Sequence, residues 1–242
     1  MQRFQEIPVI TRTYILLACM TTLACVCDII TPFQLYLAPR LITQNYELWR
    51  LATNFFFFGS NINIDFIFHI FFLQRYCSSL ENGSYRGKPA DFFYLILFGA
   101  TIMTALAFTP FFHMNFLGTP LTFMLVYLWA RRNPTVPLNM FGLFRFTAPY
   151  LPWVLLGFSF LLGNSAMADI IGIVTGHIYY VFEDVYPAMF PTYRRILKTP
   201  RFLQRLFGQQ IEGENNDIQI VPQEEINPFE NQPEAENEAE AE

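Results

Sequence analysis

The chain has 242 residues, of which 53% are hydrophobic, 18% aromatic and only 14% charged. Soluble domains carry about 25% charged residues, so this composition argues against a cytosolic enzyme, a secreted disulfide scaffold and a nucleic-acid binder. The formal net charge of −5 combines two oppositely charged parts. Residues 209–242 hold eleven acidic side chains and no Lys or Arg, which leaves 1–208 with fifteen basic and nine (20 − 11) acidic residues, or +6. This pattern indicates a basic membrane-associated body with an acidic tail.

Six apolar stretches are candidates for membrane-spanning helices, although few reach the ~20 apolar residues of an ordinary span. They are 14–30, 55–73, 92–112, 116–129, 150–162 and 166–186. If six spans alternate, thirteen Lys and Arg residues lie on the side of the N-terminus and only Arg40 and Arg50 lie on the other. Because cytoplasmic loops are rich in Lys and Arg, we predict an all-α polytopic membrane protein with six transmembrane helices and both termini in the cytoplasm.

Three regions follow from this distribution. We assign 1–190 to a six-helix membrane domain, 191–208 to a basic juxtamembrane segment and 209–242 to a cytoplasmic tail. The juxtamembrane segment mixes basic and apolar residues, which predicts a short interfacial helix from about Pro200 onward. The acidic tail cannot bury enough apolar area to fold alone.

Polar residues within the spans are the candidate functional residues. Asn61, Asp65 and His69 recur every four positions, which predicts one polar face on the second helix. Two interpretations are open: hydrogen bonds between helices, or a stripe that faces clients in a water-accessible cavity or lateral opening. A zinc site that combines His69 with His177 lacks the spacing of known zinc motifs, so no metal or other cofactor is expected.

The sixth span carries a packing motif and a histidine. Gly172 and Gly176 form a small-xxx-small pair on the same face as Asp169, which favours close approach of another helix. His177 lies beside this face, as a hydrogen-bonding packing residue or the remnant of a catalytic base. Ser165 imitates a nucleophile motif, but twelve residues of continuous helix would separate it from His177 by about 18 Å.

Two predicted spans are short. Residues 116–129 give about 21 Å of helix and residues 150–162 about 20 Å, against about 30 Å for a bilayer core. Short helices can thin the surrounding bilayer at a modest energetic cost. This suggests a thin region with polar groups, where a hydrophilic polypeptide could cross.

Several motifs are similar to the rhomboid superfamily. Trp49 and Arg50, in a long first loop, resemble its Trp-Arg motif, and residues 127–131 resemble the end of its fourth helix. Residues 172–177 resemble its sixth helix, with His177 at the position of the catalytic histidine. Rhomboid proteases carry their serine about two and a half turns before the Tyr-x-Trp of the fourth helix. Counting back here reaches Gly118 and Thr119, so the nucleophile is missing.

Longer segments resemble the Derlin family, the catalytically inactive rhomboid-like proteins of endoplasmic-reticulum-associated degradation. They are 55–59, 84–91, 124–134, 141–143, 151–157, 161–165 and 176–187. The resemblance spans about residues 1–205 and implies a six-helix rhomboid-like bundle in the endoplasmic reticulum membrane. The implied function is non-enzymatic: recognition of misfolded proteins and their retrotranslocation to the cytosol, through bilayer thinning and a polar opening between the second and fifth helices. The alternative is an active intramembrane serine protease.

The resemblance also implies roles and partners. Trp49 and Arg50 would brace the first loop at the membrane interface, and Gly172 and Gly176 would hold the sixth helix in place. The expected partners are misfolded lumenal and membrane proteins, a membrane ubiquitin-ligase complex, a cytosolic AAA ATPase, and further copies of this chain or of other family members. The tail lacks the short Gly-containing segment with which many members bind the ATPase, so direct binding of the ATPase is not implied here.

Overall fold

The computed structural model describes residues 7–109, 112, 114–140, 144–161, 163, 165–190 and 197–208. The described part is mostly helical. The acidic tail predicted at 209–242 and residues 191–196 of the juxtamembrane segment lie outside the described residues.

The helices follow one another with short connections. In chain order they are α1 (Val9–Val26), α2 (Pro32–Leu35), α3 (Pro39–Asn45), α4 (Arg50–Thr53), α5 (Ile64–Phe72), α6 (Ser78–Asn82), α7 (Pro89–Ala107), α8 (Gly118–Arg132), α9 (Leu151–Leu161), α10 (Ala166–Tyr180), α11 (Tyr186–Met189) and α12 (Arg201–Leu206). Two π-helical turns connect α5 to α6 and α10 to α11; they are Leu73–Cys77 and Val181–Val185. A 3₁₀ turn, Ala148–Tyr150, precedes α9.

The connection between α8 and α9 contains a small antiparallel sheet that the sequence did not predict. Its strands are β1 (Pro137–Met140) and β2 (Phe144–Thr147), in a register that pairs Leu138 with Phe146. The hairpin is a local addition to a helical protein.

Two described helices are long and apolar enough to cross a membrane: α1 with 18 residues and α7 with 19. Of the other predicted spans, α8 has 15 residues and α9 has 11, whereas α5 and α10 continue through the π-helical turns to Asn82 and Met189. Contacts between the helix ends show that α1, α5–α6, α7, α8, α9 and α10 run alternately in opposite directions.

The second predicted span begins later than expected. Residues 55–63 form no long helix, and α5 starts at Ile64 after the Asn63 side chain accepts a hydrogen bond from the Phe66 N–H. Asn side chains favour such caps over helix interiors. Asn61 is therefore exposed in the preceding loop, and the predicted three-residue stripe on one helix face is wrong at this residue.

The interior of the protein is built around α8. Every residue from Pro120 to Ala130 of this helix is buried, as expected for a helix without a continuous polar face. It packs against α10, α9, α7 and the extension of α5. The termini of the surrounding helices lie at two opposite ends of this bundle.

We call one of these the basic end; it contains the first turns of α1 and α7, the last turns of α8 and α10, and α6 and α12. Long-range hydrogen bonds to carboxylates help to hold it together. The Glu81 carboxylate accepts hydrogen bonds from the N–H groups of Ile10 and Thr11, at 3.1 and 2.9 Å. Arg132 donates two hydrogen bonds to Asp184, at 2.9 and 3.0 Å.

Candidate functional site: a polar cavity between three helices

A small cavity of about 30 Å³ lies between α5, α8 and α9. Its polar lining comes from all three helices: Asp65, His69, Thr122 and Ser159. The volume exceeds the 10–15 Å³ that one water needs, and polar partners are present. The cavity is therefore suited to hold one or two waters within an otherwise apolar bundle.

Asp65 and His69 are the sequence-predicted residues that the structure brings together at this cavity. The His69 Nδ1 atom lies 2.9 Å from the Asp65 main-chain oxygen and 3.6 Å from its Oδ1 atom. The His69 ring also faces Phe58, with 5.5 Å between ring centroids. The imidazole is thus held against the first turn of α5, on the inward side of the helix.

Asp169 and Ser159 extend the polar region toward α10. Asp169 is almost completely buried, and Ser159 of α9 lies beside its carboxyl group. Apart from each other, the Ser159 hydroxyl and the Asp169 carboxyl oxygens have no hydrogen-bond partner within the described residues. Buried polar groups normally find partners, so these atoms favour occupation of the region by water or by a polar group from outside.

Aromatic side chains form the boundary of the cavity between α5 and α9. Phe68 and Phe158 meet edge to face, with 5.4 Å between ring centroids. Phe68 and Phe72 also line a larger groove of about 520 Å³, which extends to Arg75 and to the β1–β2 hairpin. A change in the side-chain conformation of Phe68 and Phe72 would therefore join the polar cavity to this groove.

The contact between α8 and α10 depends on the two predicted glycines. A Cβ atom on Gly172 would overlap the main-chain oxygen of Pro120, so no side chain fits there. A Cβ atom on Gly176 would lie 3.0 Å from the Tyr127 ring and 3.1 Å from the Met124 oxygen. The structure thus places both glycines where the two helix backbones approach most closely.

His177 lies one residue beyond this contact and binds a tyrosine. Its Nδ1 atom is 2.7 Å from the Tyr127 hydroxyl, which also accepts a hydrogen bond of 2.9 Å from Arg131 Nε. Tyr127 follows Gly118 by nine residues, about 14 Å along α8. His177 therefore contacts α8 near its basic end, far from Gly118 and Thr119.

Arg50 anchors the loop between α1 and α5, whereas Trp49 is exposed. The guanidinium donates hydrogen bonds to the main-chain oxygens of Phe33 and Tyr36, at 2.7 and 3.1 Å, and to Glu47 at 2.6 Å. It also lies over the Tyr36 ring, 5.1 Å from the centroid. One buried cation thus joins α2 and α4.

The described residues offer no nucleophile paired with a histidine. The partner of His69 is Asp65, and that of His177 is Tyr127. Ser165 precedes α10, which is continuous up to Tyr180, so about 18 Å separates it from His177. At Gly118 a Cβ atom would lie 2.7 Å from the Phe55 main-chain oxygen, which leaves no room for a serine side chain.

Thr122 and Ser159 are the cavity residues that sequence reasoning missed. Both lie in apolar helices, where hydroxyl groups commonly bond to the backbone of the preceding turn. Thr122 does so, with a 3.0 Å bond to the Gly118 oxygen. The sequence does show polar residues in the second, fourth and fifth predicted spans. That they face one cavity can be seen only from the way in which the three helices pack.

The described helices are largely apolar, and α1 and α7 are long enough to cross a membrane. These features are typical of a helical membrane protein. The Der1-like family model matches residues 7–201 of the chain. The chain is 50% identical to Derlin-2.1 of Zea mays, over 85% of each protein. It is 48% identical to Derlin-2.2 of Arabidopsis thaliana, over 86% of this chain and 87% of that protein, and 35% identical to Derlin-1 of the same plant, over 85% and 76%.

The chain therefore belongs to the Derlin family. The resemblance stated from the sequence motifs is confirmed by these matches.

Proposed function

We propose that this protein is a non-catalytic component of endoplasmic-reticulum-associated degradation that helps misfolded proteins pass from the endoplasmic reticulum to the cytosol. The observation that carries this proposal is the polar cavity of Asp65, His69, Thr122 and Ser159 next to the α5–α9 boundary. Membership of the Derlin family supports the same pathway.

A lateral opening between α5 and α9 is the proposed client path. The polar cavity and the 520 Å³ groove share Phe68 and Phe72, so only aromatic side chains lie between the cavity and the groove that leads to the basic end. In this proposal, one polar side chain of a client takes the place of the one or two waters for which the cavity has room, and it bonds to the buried Ser159 hydroxyl. Such exchange would lower the cost of polar groups within the membrane.

Bilayer thinning is the second part of the proposed mechanism. Helix α8 has 15 residues and α9 has 11, which correspond to about 22 and 16 Å of helix. Both are shorter than a hydrocarbon core of about 30 Å. The bilayer next to α9 would therefore have to become thinner to match the length of this helix.

Site-specific photocrosslinking tests the client path. Benzoyl-phenylalanine replaces Phe68 or Phe158 in the full chain, expressed in cells with a misfolded membrane client. We expect client adducts at both positions and none at Met20, an exposed position on α1 that serves as control. Equal adducts at all three positions would contradict a specific opening between α5 and α9.

A serine-directed fluorophosphonate probe tests the absence of catalysis. We expect no labelling of the purified protein, because Gly118 has no room for a nucleophile and Ser165 is far from His177. Labelling that disappears in a Ser165→Ala variant would support the alternative, an intramembrane serine protease.

The partners follow from the proposed pathway. We expect a membrane ubiquitin ligase, an AAA ATPase and further family members to associate with the protein in the endoplasmic reticulum membrane, with the basic end on the cytosolic side. Affinity purification from mildly solubilised membranes, followed by mass spectrometry, measures this. Recovery of neither the ligase nor the ATPase would count against the pathway.

A further inference from the structure

A second, larger cavity lies on the opposite side of the bundle from the polar one. It is a groove of about 390 Å³ between α1 and α7, and its lining is almost entirely apolar. Leu17 and Leu97 line its sides, Phe55 and Leu121 its floor, and Phe207 one end. The volume is in the range of small-molecule sites, 300–1,000 Å³.

The position of the groove shows what it is exposed to. Its walls, α1 and α7, are the two described helices that are long and apolar enough to cross a membrane. Leu17 and Leu97 keep 43% and 44% of their surface exposed beside it. The groove therefore opens toward hydrocarbon, and an acyl chain matches its chemistry.

The end of the groove at Phe207 is formed by a docked amphipathic segment. Phe207 packs against Phe93 of α7 with 5.4 Å between ring centroids, and Leu203 of α12 is buried. Just before α12, the Thr199 hydroxyl donates a 2.6 Å hydrogen bond to Asp91 at the start of α7. These contacts fix α12 across the basic end of the groove.

Positive charge accompanies this end. Arg201 and Arg205 lie one turn apart on the exposed face of α12, and Phe202 and Leu206 are exposed beside them. Neither arginine has an ion pair in the part of the chain that the structure describes. An amphipathic helix with this pattern lies at the headgroup level of a bilayer, where the two guanidinium groups can bind phosphate.

We propose that the α1–α7 groove and α12 together form a binding site for an anionic phospholipid. The acyl chain occupies the groove, and Arg201 and Arg205 hold the headgroup at the basic end. This site is separate from the α5–α9 boundary and does not depend on the proposed client path.

Photoreactive lipids test the site in the full-length protein reconstituted into phosphatidylcholine vesicles. The probes are phosphatidylserine and phosphatidylcholine with a diazirine in one acyl chain, and the adducts are mapped by mass spectrometry. We expect phosphatidylserine adducts to concentrate on α1 and α7 around Leu17 and Leu97. Adducts spread evenly over the exposed apolar residues, or equal yields for the two lipids, would overturn the proposal.

Variants separate the groove from the charges. Ala100→Phe adds a ring that fills the groove. Leu97→Phe also fills it, and because Leu97 is half-exposed the larger side chain should not disturb folding. Both variants should lower the yield of phosphatidylserine adducts several-fold. Val174→Phe, on the exposed side of α10, is the matched control and should leave them unchanged. Unchanged adducts in both groove variants would contradict the acyl site.

Charge removal tests the headgroup contact. Arg201→Gln and Arg205→Gln should each reduce the preference for phosphatidylserine about fivefold, the effect of one basic residue near an anionic surface. Arg145→Gln, an exposed arginine on β2, is the control. The labelling is also repeated at a lower ratio of protein to lipid, which separates copies of the chain. If the lipids label the groove only at the low ratio, a second copy covers the groove at the higher one, and the lipid proposal is wrong.

Discussion

Glu81 supplies the cap that α1 lacks in its own sequence. Pro8 precedes α1 and offers no capping side chain, whereas the Glu81 carboxylate accepts bonds from two N–H groups of the first turn and from the Thr11 hydroxyl. The negative charge also lies at the positive end of the helix dipole. A single buried carboxylate thus joins α1 to α6 across about 70 positions of the chain.

Glu81→Ala should destabilise the folded protein by about 2 kcal/mol, because an N-cap and charge-assisted hydrogen bonds are lost together. Thermal unfolding of the detergent-solubilised protein measures the effect. Asn82→Ala, at the exposed neighbouring residue, is the control. Equal melting temperatures for the Glu81→Ala and Asn82→Ala variants would show that Glu81 does not stabilise α1.

Arg132 and Asp184 form another long-range pair at the basic end. The guanidinium also lies 4.9 Å from the centroid of the Tyr85 ring, whose hydroxyl is 3.1 Å from that of Tyr179. Burial raises the pKa of the Tyr85 phenol above its ordinary value, so the ring stays neutral beside the cation at physiological pH.

Arg132→Lys should cost about 1–3 kcal/mol, because Lys keeps the charge but cannot form the two parallel hydrogen bonds. Chemical unfolding of single and double variants with Asp184→Asn measures the coupling. If the two substitutions are additive, the pair contributes no interaction energy.

At the scale of elements, the α8–α10 contact sets a graded test of glycine packing. A Cβ atom added to Gly172 would overlap the backbone of α8, and one added to Gly176 would have its closest neighbours at 3.0 and 3.1 Å. One added to Gly157 of α9 would meet nothing within 4 Å. The three glycines are all helical, so their helix propensities change in the same way on substitution.

Alanine at these glycines should therefore give three different results. Gly172→Ala should destabilise by about 1–3 kcal/mol through overpacking, Gly176→Ala by less, and Gly157→Ala should be neutral or stabilise by up to about 1 kcal/mol. Melting temperatures and the half-life of a misfolded client measure stability and function. The same loss in all three variants would contradict a specific packing role for the α8–α10 glycines.

How much of this architecture the sequence predicts depends on local signals. The glycine pair of the sixth span is readable from its spacing, whereas the bracing role of Trp49 and Arg50 came only from the family resemblance. The start of α5 was misplaced, since Asn63 caps the helix and leaves Asn61 outside it. Apolarity alone does not distinguish the aromatic loop at 55–58 from the first turns of a helix.

The candidate site was predicted only in part. Asp65 and His69 could be named because charged or titratable groups are costly in lipid. Ser159 and Thr122 could not, since their inward orientation depends on how α8 and α9 rotate against α5. The Tyr127–His177 bond likewise joins residues 50 positions apart, and no spacing rule indicates it.

At the scale of the whole molecule, helices of different length lie at different places in the bundle. Helices α1 and α7 have 18 and 19 residues, whereas α8 and α9 have 15 and 11. The groove proposed for lipid lies between the two long helices α1 and α7, and the polar cavity is lined in part by the short helices α8 and α9. Thinning is therefore expected to be asymmetric around the protein.

Reconstitution in bilayers of different acyl length tests this asymmetry. We expect spin-labelled lipids to report a thinner bilayer near a label at Trp153 of α9 than near one at Met20 of α1, both of which are exposed. The difference should shrink in short-chain lipids, where the mismatch is smaller. Equal thickness at both positions in long-chain lipids would contradict thinning by α9.

The Glu81 cap has a consequence for biogenesis. Helix α1 leaves the ribosome about 70 residues before the carboxylate that completes its first turn. Until then, the N–H groups of Ile10 and Thr11 depend on solvent for their hydrogen bonds. The first helix to be made is thus completed only after α5 and α6 have been made, but before α7 to α10 follow.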